Sequence, residues 1–174
     1  MSIPPWYVVT GGPGSGAGKV IQELAIRGYQ TVPEAARVLI DRYEIRGVSS
    51  RELRRDEAAF QQRVFRMKLE IEEGIPKDRT VFFERGVPDS IPYYEICGLD
   101  YKGIVRVSRG RYRKIFFLEE LPEYKQDYAR IEDEATARHI GRLLRPRYVE
   151  LGYDVVDVPV MYTEPRAEFI LSHL

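Results

Sequence analysis

The feature that most limits what this chain can fold into is a glycine-rich stretch directly after an apolar segment. Residues 6–10 have the sequence Trp-Tyr-Val-Val-Thr, and five glycines follow between Gly11 and Gly18. Aromatic and β-branched residues of this kind predict a buried strand. A strand, a glycine-rich turn and then a helix present successive backbone N–H groups that hold a phosphate. The stretch therefore predicts a nucleotide-binding domain of the P-loop type.

The end of this glycine loop departs from the usual phosphate-binding motif. That motif has Gly, four residues, Gly-Lys and then Ser or Thr; Gly11 and Gly16 fit it, but Ala17 and Gly18 follow. In one register, that is, one alignment with the motif, the loop keeps its usual shape and the lysine is absent. Lys19 then lies two residues further along the helix, about 200° around the helix axis from the position of the missing lysine. In the other register Gly18-Lys19 is the Gly-Lys pair and the loop is reshaped. In both, no hydroxyl follows the lysine to hold Mg²⁺.

We expect a nucleotide, ATP or GTP, to bind this loop. Because the hydroxyl is missing, the sequence leaves open whether Mg²⁺ accompanies the nucleotide. The alternative is a tight turn without a ligand, but five glycines exceed what a turn needs. The residues predicted to contact the nucleotide are Gly11, Gly12, Pro13, Gly14, Ser15, Gly16, Ala17, Gly18, Lys19 and Val20.

Length, charge and cysteine content exclude several other classes of protein. The 174 residues suit one domain spanning 1–174. Lys plus Arg and Asp plus Glu each number 27, and this zero net charge argues against a general nucleic-acid or membrane-surface binder. The single cysteine, Cys97, excludes an internal disulfide and a cysteine-based zinc site. We expect a cytoplasmic protein without a signal peptide or a membrane span.

Strand and helix patterns alternate along the chain. Strands are predicted at 6–10, 31–32, 80–83, 115–118 and 153–158, and helices from about 20 to 27 and at 34–43, 50–74, 88–98, 134–151 and 164–171. This alternation predicts an α/β fold of three layers, α/β/α, with a mostly parallel sheet of about five strands. The polar segment 119–133 has no clear period and is predicted to be a loop or lid.

A second group of polar residues follows the strand at 80–83. Glu84 is predicted to take a proton from an acceptor hydroxyl, or to organise Mg²⁺ through water. Arg85 is predicted to clamp phosphate, although an ion pair at the strand end is the alternative. In the lid, Arg130 is predicted to close on the transferred phosphate, with a solvated charged loop as the alternative. Ligands bind beyond the carboxyl ends of parallel strands, so these residues should converge with the glycine loop.

Three further residues are candidates for binding the acceptor substrate. Glu34 and Arg37 follow the second strand and are predicted to face the acceptor, with a helix-surface pair as the alternative. Asp89 is predicted either to support this site or to favour the start of the next helix. The basic run from Arg106 to Lys114 suits an RNA acceptor, but the zero net charge favours a solvated segment.

Together these motifs resemble one family. The runs Val9 to Gly16, Thr31 to Arg37 and Phe82 to Asp89, with Tyr93-Tyr94 and the later runs 123–130 and 150–156, are similar to the AAA-domain family of NadR-like and TRPL-translocation-defect-like P-loop proteins. The resemblance spans nearly the whole chain. It implies an ATP- or GTP-binding domain of the kinase branch with a lid. The family has Lys-Thr-Thr where this chain has Ala-Gly-Lys.

A narrower resemblance concerns the pair Glu84-Arg85. This pair is similar to the Glu/Asp-Arg motif of deoxynucleoside and thymidylate kinases. The resemblance implies that the acid serves as a base or Mg²⁺ organiser and that the arginine binds phosphate.

The leading functional hypothesis is ATP-dependent phosphoryl transfer to a small hydroxyl-bearing metabolite or nucleoside, with Lys19 as a displaced phosphate ligand. One alternative is a nucleotide-binding switch or pseudo-kinase with little catalysis, because the lysine is displaced. A further alternative, supported by the basic run alone, is a kinase for polynucleotide or RNA ends. The sequence does not name the acceptor, choose between ATP and GTP, or give the oligomeric state.

Overall fold

The computed structural model of the chain describes residues 3–122 and 132–174. The predicted lid at 119–133 lies mostly outside these ranges, and so does Arg130. Its predicted role as a phosphate clamp therefore stays a prediction.

Five strands and eight α-helices make up the described part of the chain. The strands are β1 (Trp6–Gly11), β2 (Gln30–Val32), β3 (Val81–Glu84), β4 (Lys114–Leu118) and β5 (Val155–Val158). The helices are α1 (Ala17–Ile26), α2 (Ala35–Glu44), α3 (Ser50–Leu53), α4 (Glu57–Glu73), α5 (Ser90–Ile96), α6 (Lys102–Ser108), α7 (Glu134–Glu150) and α8 (Thr163–Ser172), and a 3₁₀ turn covers Val87–Asp89. Within the described residues, no helix combines the length and apolar character needed to cross a bilayer.

The strands form one parallel sheet in the order β2-β3-β1-β4-β5. Val9 in the central strand β1 pairs with Glu84 of β3 on one side and with Phe116 of β4 on the other. This register brings the carboxyl ends of β1 and β3 to the same level of the sheet. The α/β class and the parallel sheet predicted from the sequence are confirmed.

Apolar side chains cover both faces of the sheet. Val9 of β1 packs with Leu24 of α1 and Ile170 of α8 on one face. Val8 packs with Phe83 of β3 and Tyr148 of α7 on the other face. Because neighbouring residues of a strand point to opposite faces, a strand covered on both faces is apolar throughout. This explains the unbroken apolar run at 6–9.

Two stretches between the strands differ from the prediction. The single helix predicted over 50–74 is interrupted, because the Asp56 carboxylate caps a new helix, α4, by accepting from the Ala59 N–H at 2.9 Å. Helix α6 lies where no helix was predicted. It begins where the Asp100 side chain accepts from the Lys102 N–H at 2.9 Å, and Gly103 in its first turn weakens the sequence pattern.

Helix α7 crosses the glycine loop closely. A Cβ added at Gly12 would lie 3.2 Å from the Cα of Gly141 in α7. Two residues without side chains therefore let the helix backbone approach the loop backbone. This contact fixes one side of the loop to the helix that follows residues 119–133.

The turn after β3 is packed just as tightly. A Cβ added at Gly86 would lie 2.9 Å from the Tyr148 Oη, 3.0 Å from the Tyr112 ring and 3.0 Å from a methyl group of Val8. All three neighbours are buried, so they have little room to move.

We expect Gly86→Ala to lower the free energy of unfolding by about 1–3 kcal/mol, because the added methyl group overpacks this turn. Urea denaturation measures the change. Gly103→Ala is the matched control, since no atom lies within 4 Å of its added Cβ. The control should leave the free energy of unfolding unchanged or raise it slightly, because Gly103 lies in the first turn of α6. Equal destabilisation in both variants would contradict the packing argument.

Candidate active site

The glycine loop joins β1 to α1 and keeps the usual shape of a phosphate-binding loop. Gly14 and Gly16 have φ angles of 89° and 91°, a conformation that glycine adopts without steric cost. The Ser15 N–H donates to the Gly12 carbonyl at 3.0 Å and closes the turn. Helix α1 begins at Ala17 with Gly16 as its N-cap. The first of the two predicted registers is therefore the one adopted.

The middle of the loop offers free hydrogen-bond donors. Within the described part of the chain, the N–H groups of Gly14 and Gly16 have no acceptor, and the first turn of any α-helix leaves further N–H groups without intrahelical partners. Gly14, Gly16 and Gly18 are half-buried, so solvent and ligands reach them. This cluster of N–H groups and the positive end of the α1 dipole together suit an anion.

The two ends of the residue range predicted to bind nucleotide are packed inside the protein. A Cβ added at Gly11 would lie 2.7 Å from the Leu118 carbonyl oxygen. Val20 is 1% exposed, and its N–H already donates to the Gly16 carbonyl at 3.3 Å. The free donors therefore lie between these ends.

Ala17, Gly18 and Lys19 show what the departure from the usual motif does. Ala17 is 8% exposed and packs in the core beneath the loop. Lys19 is exposed and lines neither of the two cavities beside the loop. Lys19 as a phosphate ligand stays a prediction. The position usually held by the lysine carries a methyl group.

Glu84 reaches the loop from the end of β3. Its Oε1 lies 3.0 Å from the position that a Cβ at Gly18 would take, where the usual motif has its Ser or Thr. Its Oε2 accepts from the Glu34 N–H at 3.2 Å. Burial, and secondarily the nearby charge of Glu34, raise the pKa of Glu84 to about 7. A carboxyl group with this pKa exchanges a proton near neutral pH.

Arg85 has a strained backbone. Its φ is 63°, the one positive value at a non-glycine residue in the described ranges. Its N–H donates to the Val9 carbonyl at 3.0 Å. Its Nε lies 2.8 Å from Glu34 Oε1, and its Nη1 donates to Asp89 Oδ1 at 3.4 Å. Strain of this kind persists where surrounding contacts over-determine the conformation.

Asp89 lies beneath the site and does not face a cavity. It is fully buried, and its carboxylate accepts from the Gly86 N–H at 2.7 Å and from the hydroxyls of Thr10 and Tyr148. Direct substrate contact, one of its predicted roles, does not fit this placement. Asp89 instead holds Arg85 and the turn after β3 in position.

A cleft of about 570 Å³, counting its open side, lies beside the glycine loop. Glu34, Arg37 and Arg85 line it. Contact of Glu34 and Arg37 with an acceptor stays a prediction. The remaining lining residues come from the loop, from α2 to α5 and from residue 132: Pro13, Ala36, Arg54, Phe60, Gln61, Val64, Lys68, Tyr93 and Glu132.

Lys68 is a site residue that the sequence analysis missed. It is 7% exposed, and its Nζ donates to the Gly86 carbonyl at 2.9 Å and to Ser90 Oγ at 3.1 Å. Burial lowers the pKa of Lys68 to about 8. The available signal was its place on α4, four residues after Val64 on the buried face of the helix.

Arg54 was also missed, because its partners are distant in sequence or across a helix break. Its Nη2 lies 2.8 Å from both Glu57 Oε1 and Glu132 Oε1. The guanidinium stands over the Phe60 ring, 5.1 Å from its centroid. These contacts fix one wall of the cleft.

A second, smaller cavity of about 270 Å³ lies on the other side of the loop, towards α7. It is lined by Pro13, Gly14 and Ser15 of the loop, by Ala137 and Arg138 of α7, and by Glu120 and Leu121. The Arg138 Nη1 lies 3.0 Å from Glu120 Oε2 across it. The glycine loop thus separates two spaces.

The basic run 106–114 is partly engaged within the protein. Arg111 pairs with the buried Glu72. Arg113 donates to the Ile3 carbonyl at 3.3 Å, and Lys114 lies 3.9 Å from Asp154. These contacts reduce the charge that the run offers to a polyanion.

A comparison with protein families gives one match over most of the chain. A family model described as an AAA domain matches residues 6–166. No protein of curated function matches the chain by sequence.

Several solved structures share the fold. Shikimate kinase from Acinetobacter baumannii, solved with shikimate, has a TM-score of 0.65 at 16% identity, over 98% of this chain and 92% of that one. NadR, solved with NR, has a TM-score of 0.69 at 16% identity, over 98% of this chain and 51% of that one. Deoxyadenosine kinase from M. mycoides, solved with dCMP and dCDP, has a TM-score of 0.64 at 12% identity, over 97% of each chain.

We expect Glu84→Gln to change how stability depends on pH. The pKa of Glu84 is about 7 in the folded protein, above its ordinary 4.5. Its contribution to the free energy of unfolding is therefore complete below about pH 4.5 and is lost as pH rises through about 7. The neutral glutamine avoids this loss, so the variant should exceed the native chain by about 1–3 kcal/mol at pH 8 and by little at pH 4.5.

Urea denaturation at the two pH values tests this expectation. Glu44→Gln, at an exposed carboxylate that ends α2, is the control and should follow the native pH dependence. An unchanged pH dependence in Glu84→Gln would show that the carboxyl group titrates normally.

Proposed function

We propose that this chain, which belongs to the AAA-domain family, binds ATP or GTP at residues 11–20 and transfers a phosphoryl group to a small hydroxyl-bearing metabolite or nucleoside. The observation that carries the proposal is the convergence of three parts at the carboxyl ends of the strands. These are the free N–H groups of the glycine loop, the Glu84 carboxyl group, and the cleft that contains Arg85. Phosphoryl transfer depends mainly on positioning and on electrostatic stabilisation of this kind.

Glu84 is the proposed general base. Its ionised form takes the proton of the acceptor hydroxyl as the oxygen attacks the phosphorus atom of the terminal phosphate, and the nucleoside diphosphate leaves. A base is most effective with a pKa near the working pH, and burial raises the pKa of Glu84 to about 7. Arg85 is proposed to stabilise the transferring phosphoryl group, together with Arg130.

Mg²⁺ fits this site in a restricted way. Gly18 provides no hydroxyl ligand, but the Glu84 carboxylate lies where that hydroxyl would be, 3.0 Å from a Cβ at residue 18. Carboxylate oxygen suits Mg²⁺, which also keeps several water and phosphate ligands. As the alternative to its role as the base, we propose that Glu84 would hold the ion, directly or through water. The ion would supply charge neutralisation at the phosphates.

The cleft of 570 Å³ is the proposed acceptor site. Glu34 and Arg37 provide polar contacts, and Phe60 and Tyr93 provide aromatic surface. The proposal that Asp89 supports substrate binding is kept in an indirect form, because this residue is buried beneath Arg85. Structures of the same fold are described with small molecules, namely shikimate, NR and dCMP, which supports an acceptor of similar size.

A second candidate function is a nucleotide-binding switch with little catalysis. Ala17 favours it, because a methyl group stands where a phosphate-binding lysine usually does. Loss of one such electrostatic contact costs about 10²–10³ in rate. Backbone N–H groups would still bind the nucleotide. The two candidates therefore differ in turnover and agree on binding.

We expect Gly16→Ala to weaken ATP and GTP binding by about tenfold or more, because a side chain at a φ of 91° distorts the loop at its free N–H groups. Calorimetry with and without Mg²⁺ measures the affinity. Gly47→Ala is the matched control, since Gly47 has a φ of 81° with no atom near its added Cβ. It carries the same backbone strain outside the loop and should bind as the native chain does.

Two results would contradict nucleotide binding at the loop. One is an equal affinity in Gly16→Ala and Gly47→Ala. The other is a native chain that binds neither nucleotide at millimolar concentration. Lys19→Ala in the same titration decides whether Lys19 contacts phosphate, and an unchanged affinity would exclude that contact.

We expect Glu84→Gln to lower the rate of ADP formation with a panel of nucleosides and hydroxyl-bearing metabolites by about 10²–10⁴-fold, because the base is lost. Its affinity for metal-free ATP should stay near the native value. Glu44→Gln is again the control. Native turnover without dependence on any acceptor, or no turnover at all, would favour the switch over the kinase.

A further inference from the structure

We propose that Arg166 is a positioning residue of the glycine loop, one that polarises the Ser15–Gly16 peptide and supplies beneath the loop a positive charge that Ala17 cannot. The inference rests on the proposed binding of a nucleotide phosphate by this loop. It assigns to the last helix, α8, a part in that binding.

Arg166 is buried and forms hydrogen bonds with three separate loops. It is 2% exposed. Its Nη1 donates to the Ser15 carbonyl at 2.6 Å, its Nη2 to the Glu119 carbonyl at 3.1 Å and its Nε to the Pro159 carbonyl at 3.0 Å. These acceptors follow β1, β4 and β5, so one planar guanidinium joins the chain at the carboxyl ends of three strands.

In the described part of the chain, the hydrogen-bond partners of Arg166 are backbone carbonyl groups. Within residues 3–122 and 132–174, no carboxylate lies within ion-pair distance of its guanidinium. Other buried arginines of the site differ, since Arg54 and Arg85 pair with glutamates. Burial lowers the pKa of Arg166, and the charge of Glu119 opposes this shift in part. A buried charge without an ion pair is costly, and an anion bound nearby offsets part of that cost.

The contact with Ser15 acts directly on the free donors of the loop. The Ser15 carbonyl and the Gly16 N–H belong to one planar trans peptide group, in which C=O and N–H point in opposite directions. A donor on the carbonyl polarises the group and makes its N–H a stronger donor. The Gly16 N–H has no acceptor in the described chain and points away from Arg166.

The guanidinium is also close to the loop in space. Its Nη1 lies 3.5 Å from the position that a Cβ at Gly16 would take. Ala17, the next residue, occupies the place of the usual lysine. Arg166 therefore brings positive charge to the loop from below, whereas the usual lysine brings it from the ligand side. The loop shape is held by the same contact.

The test compares the affinity of three variants for inorganic tripolyphosphate without metal, measured by calorimetry. Arg166→Gln removes the charge, Arg166→Lys keeps it, and Arg145→Gln removes a half-buried arginine outside the loop that pairs with Asp157 at 2.7 Å. We expect Arg166→Gln to bind about tenfold more weakly, because a charge-assisted contact is lost. We expect Arg166→Lys to stay within about threefold of the native chain, and Arg145→Gln to bind as the native chain does.

A spectroscopic measurement on the native chain keeps the inference testable if a variant does not fold. Tripolyphosphate should move the Gly16 amide proton signal downfield, as expected for a donor that gains an anionic acceptor. In folded Arg166→Gln, the same signal should lie upfield of its native position before any anion is added. A Gly16 signal that ignores both the anion and the substitution would overturn the inference.

The remaining outcomes distinguish the role of Arg166 from nucleotide binding itself. Equal affinities in the native chain and Arg166→Gln would overturn the role of Arg166 and leave nucleotide binding intact. Equally weak binding in Arg166→Gln and Arg166→Lys would overturn the role of the charge, because the lysine keeps it. A native chain that binds neither tripolyphosphate nor ATP would overturn the proposed function itself, and this inference with it.

Discussion

The rest of the site depends on the hydrogen bonds that surround the buried carboxylate of Asp89. It accepts from Thr10 at the end of β1, from the Gly86 N–H in the turn, and from Tyr148 of α7, and it also lies near Arg85. A buried carboxylate is stable only when such donors surround it, and removing one partner leaves an uncompensated group. These contacts hold Arg85 at its positive φ. Because Glu84 precedes Arg85, they also direct the Glu84 carboxyl group towards Gly18.

In this site, the backbone of the glycine loop provides hydrogen-bond donors, and side chains next to the loop provide charge. The glycine loop presents N–H groups through its own geometry, which does not require a lysine. The side-chain positions next to the loop have changed: Ala17 joins the core, and Gly18 leaves space that Glu84 occupies. The usual motif has a positively charged lysine within the loop. Here the positive charges lie next to the loop, on Arg85 on the side of the cleft and on Arg166 beneath the loop. The proposed binding and the proposed turnover therefore depend on different groups.

Short-range features of the sequence predicted most of the fold and part of the site. The apolar run before Gly11 and the spacing to Gly16 specify a strand, a loop and a helix through neighbouring residues alone. Glu84 and Glu34 were found because each follows a strand. Lys68 and Arg54 were missed because their partners come together only in the folded chain. The break at Asp56 was hidden because apolar spacing continues across it, and the cap that starts α4 is a single side chain.

The two strands at the edges of the sheet affect how readily another chain could add a strand. An open sheet has two exposed edges, and unpaired edges invite strand addition from another chain. Here β2 has three residues and β5 has four, so each edge offers only a short row of backbone groups. In β5, Asp157 is exposed and paired with Arg145 at 2.7 Å, which places charge on that edge. Short edge strands and charge of this kind disfavour the addition of a strand from another chain.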